Sequence, residues 1–144
     1  MREILFRGKS DLLGWIEGWY CPEAKWGGHH FPVGITHKTK EGWLDDVVVI
    51  PETIGQFTGL TDKNGTKIFE GDIVRILGNQ YVEDWKNVDY TALIAFIDGG
   101  FCAIDGTVEE HGFRRYALAR LDFSLEVIGN IHDNPELLRG EEDG

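Results

Sequence analysis

The sequence predicts an all-β fold, mainly antiparallel, as a small barrel-like or strongly curved sheet with a short C-terminal helix. Three observations carry this. Apolar runs such as Val47–Ile50 and Ala92–Ile97 have strand length and are bounded by turn residues. The 19 glycines among 144 residues are scattered without a repeat, which suits many turns and bends. No strand–long helix–strand alternation occurs, so a parallel sheet with crossover helices is not expected.

In chain order, EILFR at 3–7 reads as a first strand, with Ile4 and Phe6 on one face. GWIEGWY at 14–20 reads as a second, rich in aromatics. Residues 21–46 are the least readable part, and within them CPEAKWGGHHFPVG, with two prolines and three glycines, reads as a loop or irregular edge. KTKEGWL turns at Glu41-Gly42 into the β-branched run VVVI, which ends at Pro51. Phe57–Leu60 and Lys67–Phe69 flank the tip Asp62-Lys63-Asn64-Gly65. Asn64-Gly65 is a hairpin signal, since both residues tolerate the positive φ of a type I′ turn. Glu70-Gly71-Asp72 then turns the chain into IVRI, with Gly71 permitting positive φ and Asp72 able to accept backbone N–H groups.

Residues 78–90, GNQYVEDWKNVDY, read as a long surface loop. TALIAFI (91–97) and FCAID (101–105) form a second hairpin through Asp98-Gly99-Gly100. VEEHGFRRYALARL reads as a short helix or loop, and LEVIGNI (125–131) as the last strand. In DNPELLRG, Asp133 or Asn134 caps a short helix, with Pro135 at its first position and Gly140 beyond its end. The expected organisation is one β domain over 1–139, with a Trp-rich part at 1–50, and an acidic tail at 140–144.

Taken in order, REILFRGK, TGLTDKNGTKIFEGDIVRI and LEVIGNIHDNPELL resemble the YopX family of bacteriophage and prophage proteins. The likeness spans essentially the whole chain, and it is weakest over 10–50 and 78–90. It implies a phage-derived intracellular protein with a mostly β, barrel-like fold. It brings no established activity and no catalytic residues.

The residues themselves exclude several functions. Lys and Arg total 14 against 25 Asp and Glu, a net charge of −11, which opposes general nucleic-acid binding. No apolar stretch approaches the roughly 20 residues of a membrane-spanning helix. The N-terminus has no long apolar segment of a signal peptide, so a cytoplasmic protein is expected, with Cys21 and Cys102 as thiols. His29 and His30 are adjacent but lack paired metal-ligand spacing, and as strand neighbours they would face opposite sides. Glu70 and Asp72 could share a face as an acid–base pair, but turn chemistry is the better reading. A Cys21–histidine nucleophile would need a spatial partner that spacing cannot supply. No catalytic, cofactor-binding or metal-binding residue is therefore assigned.

The tryptophans carry the remaining signal. Trp15, Trp19, Trp26 and Trp43 fall in the first 43 residues, beside His29 and His30, and Trp85 lies apart. Such side chains fill cores and also anchor interfaces, so both roles stay open. The expected function is a non-enzymatic phage accessory protein without cofactors that binds an unknown protein partner or itself. The candidate surface is Trp15, Trp19, Trp26, His29, His30 and Trp43. The alternative is nucleic-acid binding through a local basic and aromatic face in the N-terminal half.

Overall fold

The computed structural model describes residues 4–77, 89–97, 99–105, 114–117 and 124–138. Thirteen strands and one 3-10 helix lie among them. The chain divides into two compact units, Met1–Gly59 and Leu60–Gly144.

The first unit contains β1 (Phe6–Ser10), β2 (Gly14–Cys21), β3 (Ala24–Trp26), β4 (His29–Phe31), β5 (Gly34–Lys38), β6 (Leu44–Val48) and most of β7 (Ile50–Thr61). Its main sheet has the order β6-β5-β2-β1-β7, and β3 and β4 form a separate two-stranded sheet. The β1–β2 turn is closed by Ser10, whose Oγ accepts the N–H groups of Leu12 and Leu13, while Gly14 takes the left-handed conformation.

Strand alternation divides the sheet into two faces. Ile35, Val47 and Val49 form the buried centre of one face, packed against Phe6, Ile16, Val33 and Ile54. Two glycines let neighbouring backbones approach. A Cβ at Gly18 would lie 2.1 Å from the Thr36 carbonyl oxygen, and one at Gly34 would lie 2.9 Å from that of Val47. The β1–β7 register shifts between Arg7 and Lys9. There Thr53 Oγ1 accepts the Lys9 N–H and donates to the Ile50 carbonyl, so a side chain replaces a ladder bond beside Pro51.

The second unit contains the end of β7 and its partner β8 (Lys67–Phe69), followed by β9 (Asp72–Leu77) and β10 (Asp89–Ile97). Then come β11 (Gly100–Asp105), β12 (Arg114–Ala117) and β13 (Ser124–Asn130). Its five-stranded sheet has the order β12-β11-β10-β9-β13. Ile68, Val74, Ile76, Ala92, Ile94, Ala103 and Leu125 form its core, with Phe101 and Val127 against them. β10 and β11 pair as the sequence predicts, with Ile97 opposite Gly100 and Gly99 left-handed between them. The C-terminal element is a 3-10 helix, Pro135–Leu138. Asn134 reaches back to the bulge in β13, its Oδ1 accepting the Asn130 N–H.

The antiparallel, sheet-rich class stands as predicted. The sheets are open among the described residues, with edge strands, and are not closed into a barrel. Four local expectations change. The first strand begins at Phe6, three residues after the start of EILFR. CPEAKWGGHHFPVG, expected as a loop or irregular edge, holds β3 and β4 and the first residue of β5. VVVI is divided between β6 and β7, because Val49 turns inward to donate its N–H to the Val33 carbonyl. Residues 114–117 are a strand, held by ladder pairing to β11 that their own composition does not reveal. The surface loop expected at 78–90 lies outside the described residues up to 88, as do the acidic tail and Gly140; β10 begins at Asp89.

Candidate functional site

The β3–β4 hairpin is built from AKWGGHHF. Trp26 pairs with His29, leaving Gly27 and Gly28 as a two-residue turn with φ of 57° and 81°. Positive φ at both central residues is what a type I′ turn requires, and glycine adopts it without a Cβ penalty. Direct pairing puts Ala24 with Phe31 and Trp26 with His29 on one face, and Lys25 with His30 on the other. The first face is aromatic, and the His29 and Phe31 rings lie 6.4 Å apart. The second is polar, with His30 Nε2 3.4 Å from Glu23 Oε1.

All six strand residues of this hairpin are exposed, Trp26 at 79% and Phe31 at 52%. An isolated two-stranded hairpin is marginally stable in water. An aromatic face left open on such an element is informative in a way that a single exposed leucine is not.

The main sheet of this unit carries further aromatic side chains. Trp19 is 57% exposed and sits opposite Thr36, which sits opposite Asp46. Trp15 is half-buried, and the Arg7 guanidinium lies 4.7 Å from its ring centroid. That is a cation–π contact. Trp43 is 73% exposed at the β5–β6 turn. Its backbone is held while its ring is not: the Trp43 N–H donates to Thr39 Oγ1, and its carbonyl accepts the Thr39 N–H.

Among the described residues, the buried core is aliphatic with Phe57 and Phe69 and holds no tryptophan. Trp19, Trp26 and Trp43 are exposed, and Trp85 lies outside the described residues. Phe31, Leu44 and Val48 join the exposed apolar set and were not singled out from the sequence. A signal for Phe31 was present, since alternation about Gly27-Gly28 places it on the Trp26 face.

Cys21 hydrogen-bonds Thr36 Oγ1 at 2.9 Å, and Thr36 donates its own hydroxyl proton to Asp46 Oδ1. Thr36 must then accept from the thiol. The partner is a hydroxyl and not an imidazole. His29 and His30 lie on opposite faces of β4. No group of three His, Cys, Asp or Glu side chains suited to a metal occurs among the described residues.

The turn residues have structural partners. Asp62 is buried, and its Oδ1 accepts the N–H groups of Asn64 (2.8 Å) and Thr66 (2.9 Å). Its Oδ2 accepts the Val127 N–H from β13 (2.9 Å). The Asp62 N–H donates to the Thr66 carbonyl, and Gly65 is left-handed at φ 84°. The carboxylate thus draws Asn64-Gly65 into a wider loop than a two-residue turn. Burial would raise the Asp62 carboxyl. The Val127, Thr66 and Asn64 N–H donors and the Lys63 charge outweigh it and hold it below its ordinary value of 3.8.

At the next turn, Gly71 has φ 93°. Its N–H donates to the Ile94 carbonyl and its own carbonyl accepts the Ile131 N–H. Asp72 is buried and accepts the Phe69 N–H through Oδ2 (2.8 Å), while Glu70 is half-buried. Gly71 and Asp72 thus hold the backbone at this turn through the bonds named.

The family described as YopX protein matches residues 29–139. A solved structure, protein EF1440 from Enterococcus faecalis, aligns over 96% of this chain and 99% of its own, at 23% identity and a TM-score of 0.48. A search of curated proteins finds no significant match.

Proposed function

Because the chain belongs to the YopX family, we propose that it is a phage-type accessory protein of the bacterial cytoplasm. It acts without catalysis, by binding a protein partner or a second copy of itself. The observation that carries the reading is the β3–β4 hairpin, which exposes Trp26, His29 and Phe31 on one face and lies outside both larger sheets. Trp19 and Trp43 add rigid aromatic area elsewhere in the same unit. Aromatic side chains are the usual anchors of protein interfaces, because they bury much area for little lost rotamer freedom.

Affinity capture from infected bacteria tests this, comparing the wild-type chain with a Trp26→Ala/Phe31→Ala variant. A partner retained by the first and lost by the second, at unchanged melting temperature, supports the hairpin. Identical capture by both removes it. A salt series with single-stranded nucleic acid tests the other reading, for which Arg7 stacked on Trp15 is the supporting contact. Binding that weakens steeply with salt would replace a protein partner with a nucleic acid.

A further inference from the structure

We propose that the edge of β6 takes up an extended segment of a partner protein as an added antiparallel strand, one that reads apolar, any residue, basic, basic, apolar. The inference rests on the reading that this chain binds a protein, but it uses neither Trp26 nor Phe31 and it names the chemistry of the partner.

β6 ends its sheet, with β5 on one side and no strand among the described residues on the other. The pairing fixes which backbone groups face outward. The Val49 N–H donates to the Val33 carbonyl and the Thr39 N–H to the Trp43 carbonyl, at the two ends of the β5–β6 ladder. Bonded pairs alternate along an antiparallel ladder, so His37 with Asp45 and Ile35 with Val47 are the bonded pairs in between. Leu44, Asp46 and Val48 therefore turn their N–H and C=O groups away from β5. Leu44 is 66% exposed, Val48 is 60% exposed and Asp46 is exposed between them, so solvent reaches this edge. Such a row of backbone groups is what an added strand pairs with.

The side chains of LDDVV select the strand. By alternation, Leu44, Asp46 and Val48 share one face, and Asp45 lies on the other with the buried Val47. Thr36 donates to Asp46 Oδ1 and so orients that carboxylate. Asp45 is exposed, with His37 Nε2 3.9 Å from its Oδ2. Opposite charges directly across a strand pair stabilise it, and like charges oppose it. Arginine or lysine across from Asp46 and Asp45, with apolar residues across from Val48 and Leu44, gives the proposed pattern. The same rule disfavours a second copy as the occupant. Two β6 strands paired about Asp46 would set that carboxylate against itself, and a net charge of −11 on each copy adds to the repulsion.

Fluorescence anisotropy with the full chain tests this. The probe is a labelled, end-blocked peptide containing valine-threonine-arginine-arginine-valine, whose first valine falls across from Val48 and last across from Leu44. The expected result is saturable binding that weakens as salt rises. Replacing both peptide arginines with glutamate should weaken it at least about tenfold. N-methylating both valines and the first arginine should do the same, because that peptide keeps its charge but cannot donate to β6. On the protein, Asp45→Asn/Asp46→Asn should weaken binding of the arginine peptide at least about tenfold, and Asp45→Lys/Asp46→Lys should transfer preference to the glutamate peptide. Circular dichroism checks that each variant is folded. If the lysine variant does not fold, the asparagine variant and the N-methylated peptide decide. Trp26→Ala/Phe31→Ala should bind the peptide like wild type, which separates this edge from the hairpin; loss of binding there overturns the proposal. So do absence of binding to wild type, equal binding of the N-methylated peptide, and indifference to Asp45→Asn/Asp46→Asn. Binding that falls again at high protein concentration, as copies associate and release the peptide, makes a second copy the occupant and also overturns it.

Discussion

At Asp62, three backbone N–H groups converge on one carboxylate that is almost removed from water. Replacing it with Asn keeps the shape and one oxygen acceptor but removes the charge and the second oxygen, leaving a buried donor unpaired. The expected loss is about 1–3 kcal/mol, read from urea unfolding. Its pH dependence has a definite sign. A carboxyl held below its ordinary value in the folded state contributes fully above 3.8 and loses that contribution as pH falls from there toward the lower folded value. The gap between wild type and Asp62→Asn should therefore be constant from neutral pH to about pH 5 and close below it. A gap that widened on acidification would contradict this assignment. At Gly18 the constraint is steric. Ala there would drive a methyl into the Thr36 carbonyl and part β2 from β5, at a cost of about 1–3 kcal/mol in the same measurement.

At the scale of elements, burial separates the exposed tryptophans Trp19, Trp26 and Trp43 from the core positions. Trp26→Ala should change stability by less than about 0.5 kcal/mol, whereas Ile35→Ala, at the centre of the first core, should cost about 2–5 kcal/mol. Denaturant midpoints check both, and a large loss at Trp26 would return that residue to a packing role. The elements legible in the sequence are those in which alternation and turn chemistry agree. β10 and β11 flank a glycine turn, β9 carries Ile73, Val74 and Ile76 straight after one, and the Asp62 and Gly71 turns announce themselves by residue type. β3, β4 and β5 were hidden because their glycines and proline look like breakers, although Gly27-Gly28 is itself the turn that forms a hairpin. β12 was hidden because two successive arginines suggest solvent, and only pairing with β11 makes them a strand. For the site, the tryptophans were legible as a group but not by role. Residue type sets how much area a side chain can bury, while which face of a sheet stays uncovered is decided by distant strands.

For the whole molecule, the acidic balance has a consequence of its own. With a pI near 4.8, turbidity on lowering the pH should peak close to that value, as the charge that keeps copies apart vanishes. A peak well away from it would mean that unusually shifted groups dominate the net charge. Asp62 also reaches this scale, because its carboxylate joins a hairpin tip to a strand 65 residues later. Closing so long a stretch of chain costs entropy that nearby contacts do not repay, so the bond to Val127 belongs late in folding. The amides of Asn64, Thr66 and Val127 then share one lock. In deuterium exchange they should lose protection together whenever that carboxylate swings away, three probes from remote parts of the sequence reporting a single opening event.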